Sequence, residues 1–124
     1  MRTERGSTSV QMVILMPVLF LVMFLGLQAA LFYHARTVAI AAAQQGARAA
    51  GAETGTTSDG IDAATSFIAA AGGPDVIENA SVSGSRSATQ ATVTVRGGAL
   101  SVIPGWSPMV QQSATVPVER ITTG

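Results

Sequence analysis

The side chains able to do chemistry are few. A single histidine, His34, stands at the end of an apolar run, with no second imidazole, thiolate or carboxylate at metal-ligand spacing beside it. Asp59 and Asp62 open a predicted helix, where carboxylates favour the positive end of the dipole; that role accounts for them without a general acid and base pair. Cysteine is absent, which removes disulfides, thiolate metal sites and cysteine nucleophiles together. No phosphate-cradling Gly-rich motif and no Gly-x-Ser-x-Gly elbow occurs. A solvated, interfacial position explains His34, and nothing in these residues supports an enzyme, a metal or another cofactor.

The charge balance narrows the partners. Seven basic residues, all Arg, offset seven acidic ones. Arg2, Arg5, Arg36, Arg48, Arg86, Arg96 and Arg120 are scattered, so no basic surface for nucleic acid is indicated. The chain of 124 residues has room for one modest domain once any membrane segment is set aside.

Such a segment is present. Between Arg5 and Arg36 there is no Asp, Glu, Lys or Arg, and from Val10 to Tyr33 only Gln11 and Gln28 interrupt the apolar residues with amides. As a helix, the densest part, Met12 to Leu27, rises about 24 Å, and extension to Tyr33 gives about 33 Å, enough to cross a hydrocarbon core. A domain this small has too little surface to cover such a rod on every side. Pro17 removes one backbone hydrogen bond inside the run and predicts a bend, either incidental or a place where the segment yields as helices repack. The short tip with Arg2 and Arg5 favours a cytoplasmic N-terminus and an extracytoplasmic domain in a cell-membrane, single-pass protein. Ala39-Ile40-Ala41 imitates a signal-peptidase site but lies past His34 and Arg36, too far from the apolar run; the helix is expected to stay attached to the domain.

The elements beyond the membrane follow from two changes of period. Helical spacing continues to about Ala50, so one helix is predicted from near Thr8, its upper part a stalk. Ala35, Ala39, Ala42, Ala43, Gly46, Ala49 and Ala50 form a small-residue stripe opposite His34, Arg36, Thr37, Gln44, Gln45 and Arg48. The stripe permits close backbone approach, either to the chain's own sheet or to helices of neighbouring subunits. After the polar break Gly51 to Ser58, a short helix runs from Asp59 to about Ala71, with Thr57, Ser58 or Asp59 as its cap. Two-residue alternation then takes over: Ala80 and Val82, then Ala91, Val93 and Val95, then Ala114, Val116 and Val118. These predict three or four antiparallel strands with one buried face, a hairpin turn at Gly84-Ser85-Arg86-Ser87, and an edge position for Pro117. Trp106, in the connection from Gly97 to Met109, is expected to plug the edge of the core, the alternative being contact with a neighbour. The fold class is α+β: a transmembrane helix (7–33), a helical stalk (34–51) and a small domain (52–124).

Arg5-Gly6-Ser7 before an apolar run containing Pro17, with Gln45-Gly46-Ala47-Arg48-Ala49-Ala50 closing the helix, resembles the TadE-like family of pilus assembly proteins. The resemblance covers nearly the whole chain in layout; its specific part is Arg-Gly-Ser and Gly-Ala-Arg-Ala, and the β-region matches only in pattern. It implies a pilin-like fold and a pseudopilin-like minor component of the tight-adherence (Tad) pilus. A prepilin peptidase would cut between Gly6 and Ser7, making residues 1–6 a leader. The implied partners are other pilin-like subunits, the Tad membrane assembly platform, the prepilin peptidase and membrane lipid. Assembly would run through the helix, with Gln11, Pro17, Ala35, Ala39, Ala42 and Gly46 as its contact residues. One position departs from the pattern. Related pilin-like proteins place Glu five residues after the cut, where it is thought to meet a neighbour's terminal amine, and this chain has Gln11. An amide hydrogen-bonds but neutralises no charge, which suits an accessory subunit better than a bulk filament subunit. The alternative function is a permanently anchored, unprocessed extracytoplasmic module that binds or regulates a partner through its β-domain.

Overall fold

The apolar run, the stripe and the alternating segments become two helices and one sheet in the computed structural model, which describes residues 2–119, with side chains from Thr8 onward. Helix α1 (Arg2–Gly51) is followed by α2 (Thr57–Ala71), a 3-10 turn (Gly73–Asp75), and strands β1 (Ile77–Arg86), β2 (Gln90–Ala99) and β3 (Met109–Pro117). The strands form one antiparallel sheet in the order β1-β2-β3, and both helices pack on one of its faces. The α+β class read from the changes of period is the class the chain adopts, with three strands.

Helix α1 passes through Pro17 unbroken and divides by environment. Every residue from Thr8 to Leu27 is exposed, whereas Ala35, Val38, Ala39, Ala42, Ala43, Gly46, Ala47 and Ala50 are buried against the sheet and α2. The polar arc from His34 to Arg48 faces outward as the helical wheel requires. Of the two partners open to the stripe, the chain's own sheet is the one that covers it. Its small side chains leave space that Ile77, Val93, Val95 and Val110 fill from the strands.

The tightest approach is between α1 and α2. A Cβ on Gly46 would lie 2.7 Å from the Gly60 carbonyl oxygen and 2.9 Å from Val93 Cγ1; one on Gly60 would lie 2.7 Å from Ala50 Cβ and 2.8 Å from the Gly46 oxygen. Each glycine therefore meets the other's backbone, which cannot rotate aside as a side chain would.

Local chemistry corrects four details. Thr56, one residue before the expected caps, starts α2: its hydroxyl accepts from the Asp59 N–H at 3.1 Å and the Asp59 carboxylate accepts from the Thr56 N–H at 3.0 Å. A capping box needs that three-residue offset, and only Thr56 has it with Asp59. In β1 the register slips between Glu78 and Ser81, with Asn79 at φ 51°, a left-handed conformation that asparagine tolerates. This bulge leaves Ala80 exposed, so the alternation begins only at Ser81. The hairpin turn lies at Ser87 to Thr89, beyond the expected Gly84 to Ser87, because the Ser87 hydroxyl accepts from the N–H groups of Thr89 and Gln90 and closes the chain there. Trp106 is half exposed and plugs nothing, since Gln28 and the strand valines already fill that end of the core. Pro117 ends β3, an edge strand, as expected.

The glycine crossing yields a contrast. Gly46→Ala should destabilise the domain by about 1–3 kcal/mol through overpacking, despite its better helix propensity. Gly26→Ala, which meets nothing within 4 Å, should be neutral or slightly stabilising. Thermal unfolding of the two variants in the same detergent tests the difference.

Candidate functional site

Two parts of α1 can meet another molecule: the bare apolar rod, and the place where the domain first closes on it. The rod, Thr8 to Leu27, spans 20 exposed residues, or about 30 Å of helix, the thickness of a bilayer's hydrocarbon core. In water this surface would be an aggregation hazard. Its length and composition fit a single-pass membrane anchor.

Gln11 and Pro17 lie on this rod. Gln11 is exposed and shares a shallow groove of about 300 Å³ with Ile14, Leu15 and Val18, the residues one and two turns further along the same face. Its amide is thus the polar group in an otherwise apolar strip, where a neighbouring helix would meet it. Pro17 provides no N–H for the Val13 carbonyl, so a hydrogen-bond acceptor is left within the rod near Gln11. The other residues expected at helix contacts, Ala35, Ala39, Ala42 and Gly46, sit higher and are covered within the chain. Gly6 and Ser7 lie outside the residues whose side chains are described.

The first buried residue above the rod is Gln28, only 2% exposed. Its Nε2 donates to the Leu100 carbonyl at 2.9 Å, and its Oε1 accepts from the Val102 N–H at 2.9 Å. Both ends of one amide thereby hold the connection between β2 and β3 onto α1, across more than 70 residues of sequence. Periodicity had shown Gln28 merely as an interruption. The signal that marks it is its setting: a buried amide within an apolar, membrane-length run needs partners, and here backbone brought in from elsewhere supplies them.

At the opposite end of the domain the chain is tied in the same manner. The Glu119 N–H donates to the Gly51 carbonyl at 2.8 Å, and Arg86 Nη2 donates to the Ala52 carbonyl at 3.3 Å. The sheet is thus fastened to α1 at both ends of their contact.

His34, Asp59 and Asp62 are exposed, and Asp59 is engaged in the α2 cap. Among the described residues, no three His, Asp or Glu side chains come together as a metal site. The bare rod of α1 is mainly apolar and suited to packing.

Comparison with known proteins bears on the same segment. The family model described as TadE-like protein matches residues 6–48, which include the whole bare rod, Gln28 and most of the small-residue stripe. No curated protein and no solved structure matches the chain.

Removal of the clamp has a defined outcome. Gln28→Leu preserves apolar bulk but leaves the Leu100 carbonyl and the Val102 N–H without their partner, a loss of about 1–3 kcal/mol. Hydrogen exchange should show the Val102 amide losing protection roughly tenfold or more while the centre of β2 is little changed. Unchanged exchange at Val102 would mean that the clamp contributes nothing to holding this connection.

Proposed function

From a helix that is TadE-like over residues 6–48, we propose that the chain is a structural or accessory subunit, a minor pilin or pseudopilin, of a bacterial Tad-type pilus. The match supports an association of the chain with the Tad pilus system. The finer reading is that a prepilin peptidase cuts between Gly6 and Ser7, that the tip faces the cytoplasm and the domain lies outside, and that the mature subunit assembles through α1.

The observation that carries this reading is the division of α1 within the matched segment. Its upper part is consumed by the chain's own core, and its lower 20 residues are wholly bare. A rod of this kind can exchange lipid for the helices of neighbouring subunits without disturbing the domain above it. Gln11 then sets the mode of contact. Its amide can hydrogen-bond a neighbour's backbone or terminal amine, but it contributes no charge, so subunit docking lacks the electrostatic pull of a carboxylate in a low-dielectric bundle. That favours a role at low copy number, as an initiating or accessory subunit.

Intact-mass measurement on protein extracted from membranes of the native host tests the processing step. The expected mass corresponds to a chain beginning at Ser7, and a chain still carrying residues 1–6 would remove the prepilin reading. Substitution of Gln11 addresses assembly. Gln11→Glu should raise the proportion recovered in sheared pilus fractions several-fold relative to the membrane-retained pool. Equal partition would show that the amide does not limit incorporation.

A further inference from the structure

We propose that the connection from Leu100 to Pro108 lies in the membrane interface beside α1, with Trp106 seated among lipid headgroups and upper acyl chains. This rests on the reading of α1 as a membrane anchor and goes beyond it by giving the domain its own lipid contact. Three observations converge on it.

The first is position. Gln28 holds Leu100 and Val102 directly above the last bare residue of the rod. With Thr8 to Leu27 filling about 30 Å of hydrocarbon, Gln28 and everything clamped to it fall at the bilayer surface. Trp106 and Pro108 line, with Leu25, Ala29, Phe32 and Tyr33, an open apolar groove of about 290 Å³ against α1 around Gln28.

The second is composition. From Gly97 to Val118 there is no charged residue. Trp106 is 50% exposed and Met109 62%, while Tyr33, which lines the same groove from α1, is 62% exposed. Trp and Tyr side by side at the end of a span, each with an apolar ring and a polar tip, suit the headgroup layer better than either water or hydrocarbon.

The third is how the backbone is satisfied. Irregular chain near lipid is tolerated when its polar groups find partners within the protein. Here Gln28 takes Leu100 and Val102, the Ser101 hydroxyl donates to the Ile103 carbonyl at 2.7 Å, and the Ala99 N–H donates to the Pro108 carbonyl at 2.8 Å. The Trp106 N–H donates to the Ile103 carbonyl at 3.3 Å in a turn completed by Gly105 at φ 78°. Pro104 and Pro108 bring no N–H at all.

The chain contains one tryptophan, so its intrinsic fluorescence reports Trp106 alone. The full chain is reconstituted in phosphatidylcholine vesicles whose acyl chains carry bromine either near the carbonyls or near the methyl ends, and vesicle flotation is scored in the same samples. The expected result is floating protein with blue-shifted emission, quenched more strongly by the shallow bromines than by the deep ones, and only weakly by acrylamide in the water. Floating protein whose emission is insensitive to both bromine positions would overturn the interfacial loop while leaving the anchor intact. Emission that shifts only as the protein-to-lipid ratio rises, without bromine quenching, would instead assign Trp106 to contact with a second copy. Failure to float would overturn the anchor and, with it, this inference.

Discussion

The domain depends on how closely α1 can approach the elements that cover it. A cysteine-free unit of this size has no covalent staple, and most of α1's buried face is alanine, which contributes little apolar area per residue. What alanine and glycine provide is proximity. With Gly46 against Gly60, the backbones of α1 and α2 nearly touch, and the sheet's valines reach both helices at once. Small side chains also lose almost no rotamer freedom on burial, so the dispersion gained at short range is not offset by their own ordering. The domain is stable because its longest element is thin.

That thinness explains why one helix performs two tasks. Above Gln28 it presents a narrow face of small residues and is enclosed; below it carries Leu, Val, Phe, Met and Ile around its whole circumference and is enclosed by nothing. The change occurs between Leu27, the last residue of the bare stretch, and Ala35, where the buried small-residue face begins. The family match, ending at residue 48, takes in both regimes and stops near the last turn of the helix. The strands beyond contribute volume and alternation, requirements that many apolar combinations meet equally well. It follows that the helix can share a recognisable pattern with a family while the sheet packed against it shares little.

Much of this architecture was legible because it is periodic. The apolar run, the stripe opposite a polar arc, and the alternation around Val93, Val95 and Val116 each repeat at the spacing of the element they form. The misreadings concern single residues. Thr56 caps α2 because its offset to Asp59 closes a box; Ser87 ends β1 because its hydroxyl gathers two backbone N–H groups; Asn79 shifts the register because its backbone turns left-handed. None of these leaves a periodic trace. Gln28 was visible as a residue and silent as a contact, because its partners lie more than 70 positions away and are backbone groups with no residue-type signature. Trp106 was misplaced for a related reason: burial of a large aromatic is the ordinary expectation in water, and the surroundings that suit an exposed one are set by the clamp and not by its neighbours in sequence.

The clamp also determines how the two halves of α1 are coupled. In water, an amide bound to backbone contributes about 1 kcal/mol net, because solvent offers the same partners when it breaks. Beside hydrocarbon, the broken state has no such substitute, so the bond is worth more the nearer Gln28 lies to lipid. Movement of the helix toward the domain's side would draw apolar residues below Gln28 into water, and movement the other way would press His34 and Arg36 toward the hydrocarbon. The domain and the rod therefore keep a fixed relative depth. On the proposed reading, a subunit passing from lipid into a fibre exchanges only what surrounds residues 8–27, since the amide above them is already satisfied within the chain. The energetic burden of assembly then falls on the bare rod, where Gln11 and the unpaired carbonyl opposite Pro17 are the polar groups a neighbour must accommodate.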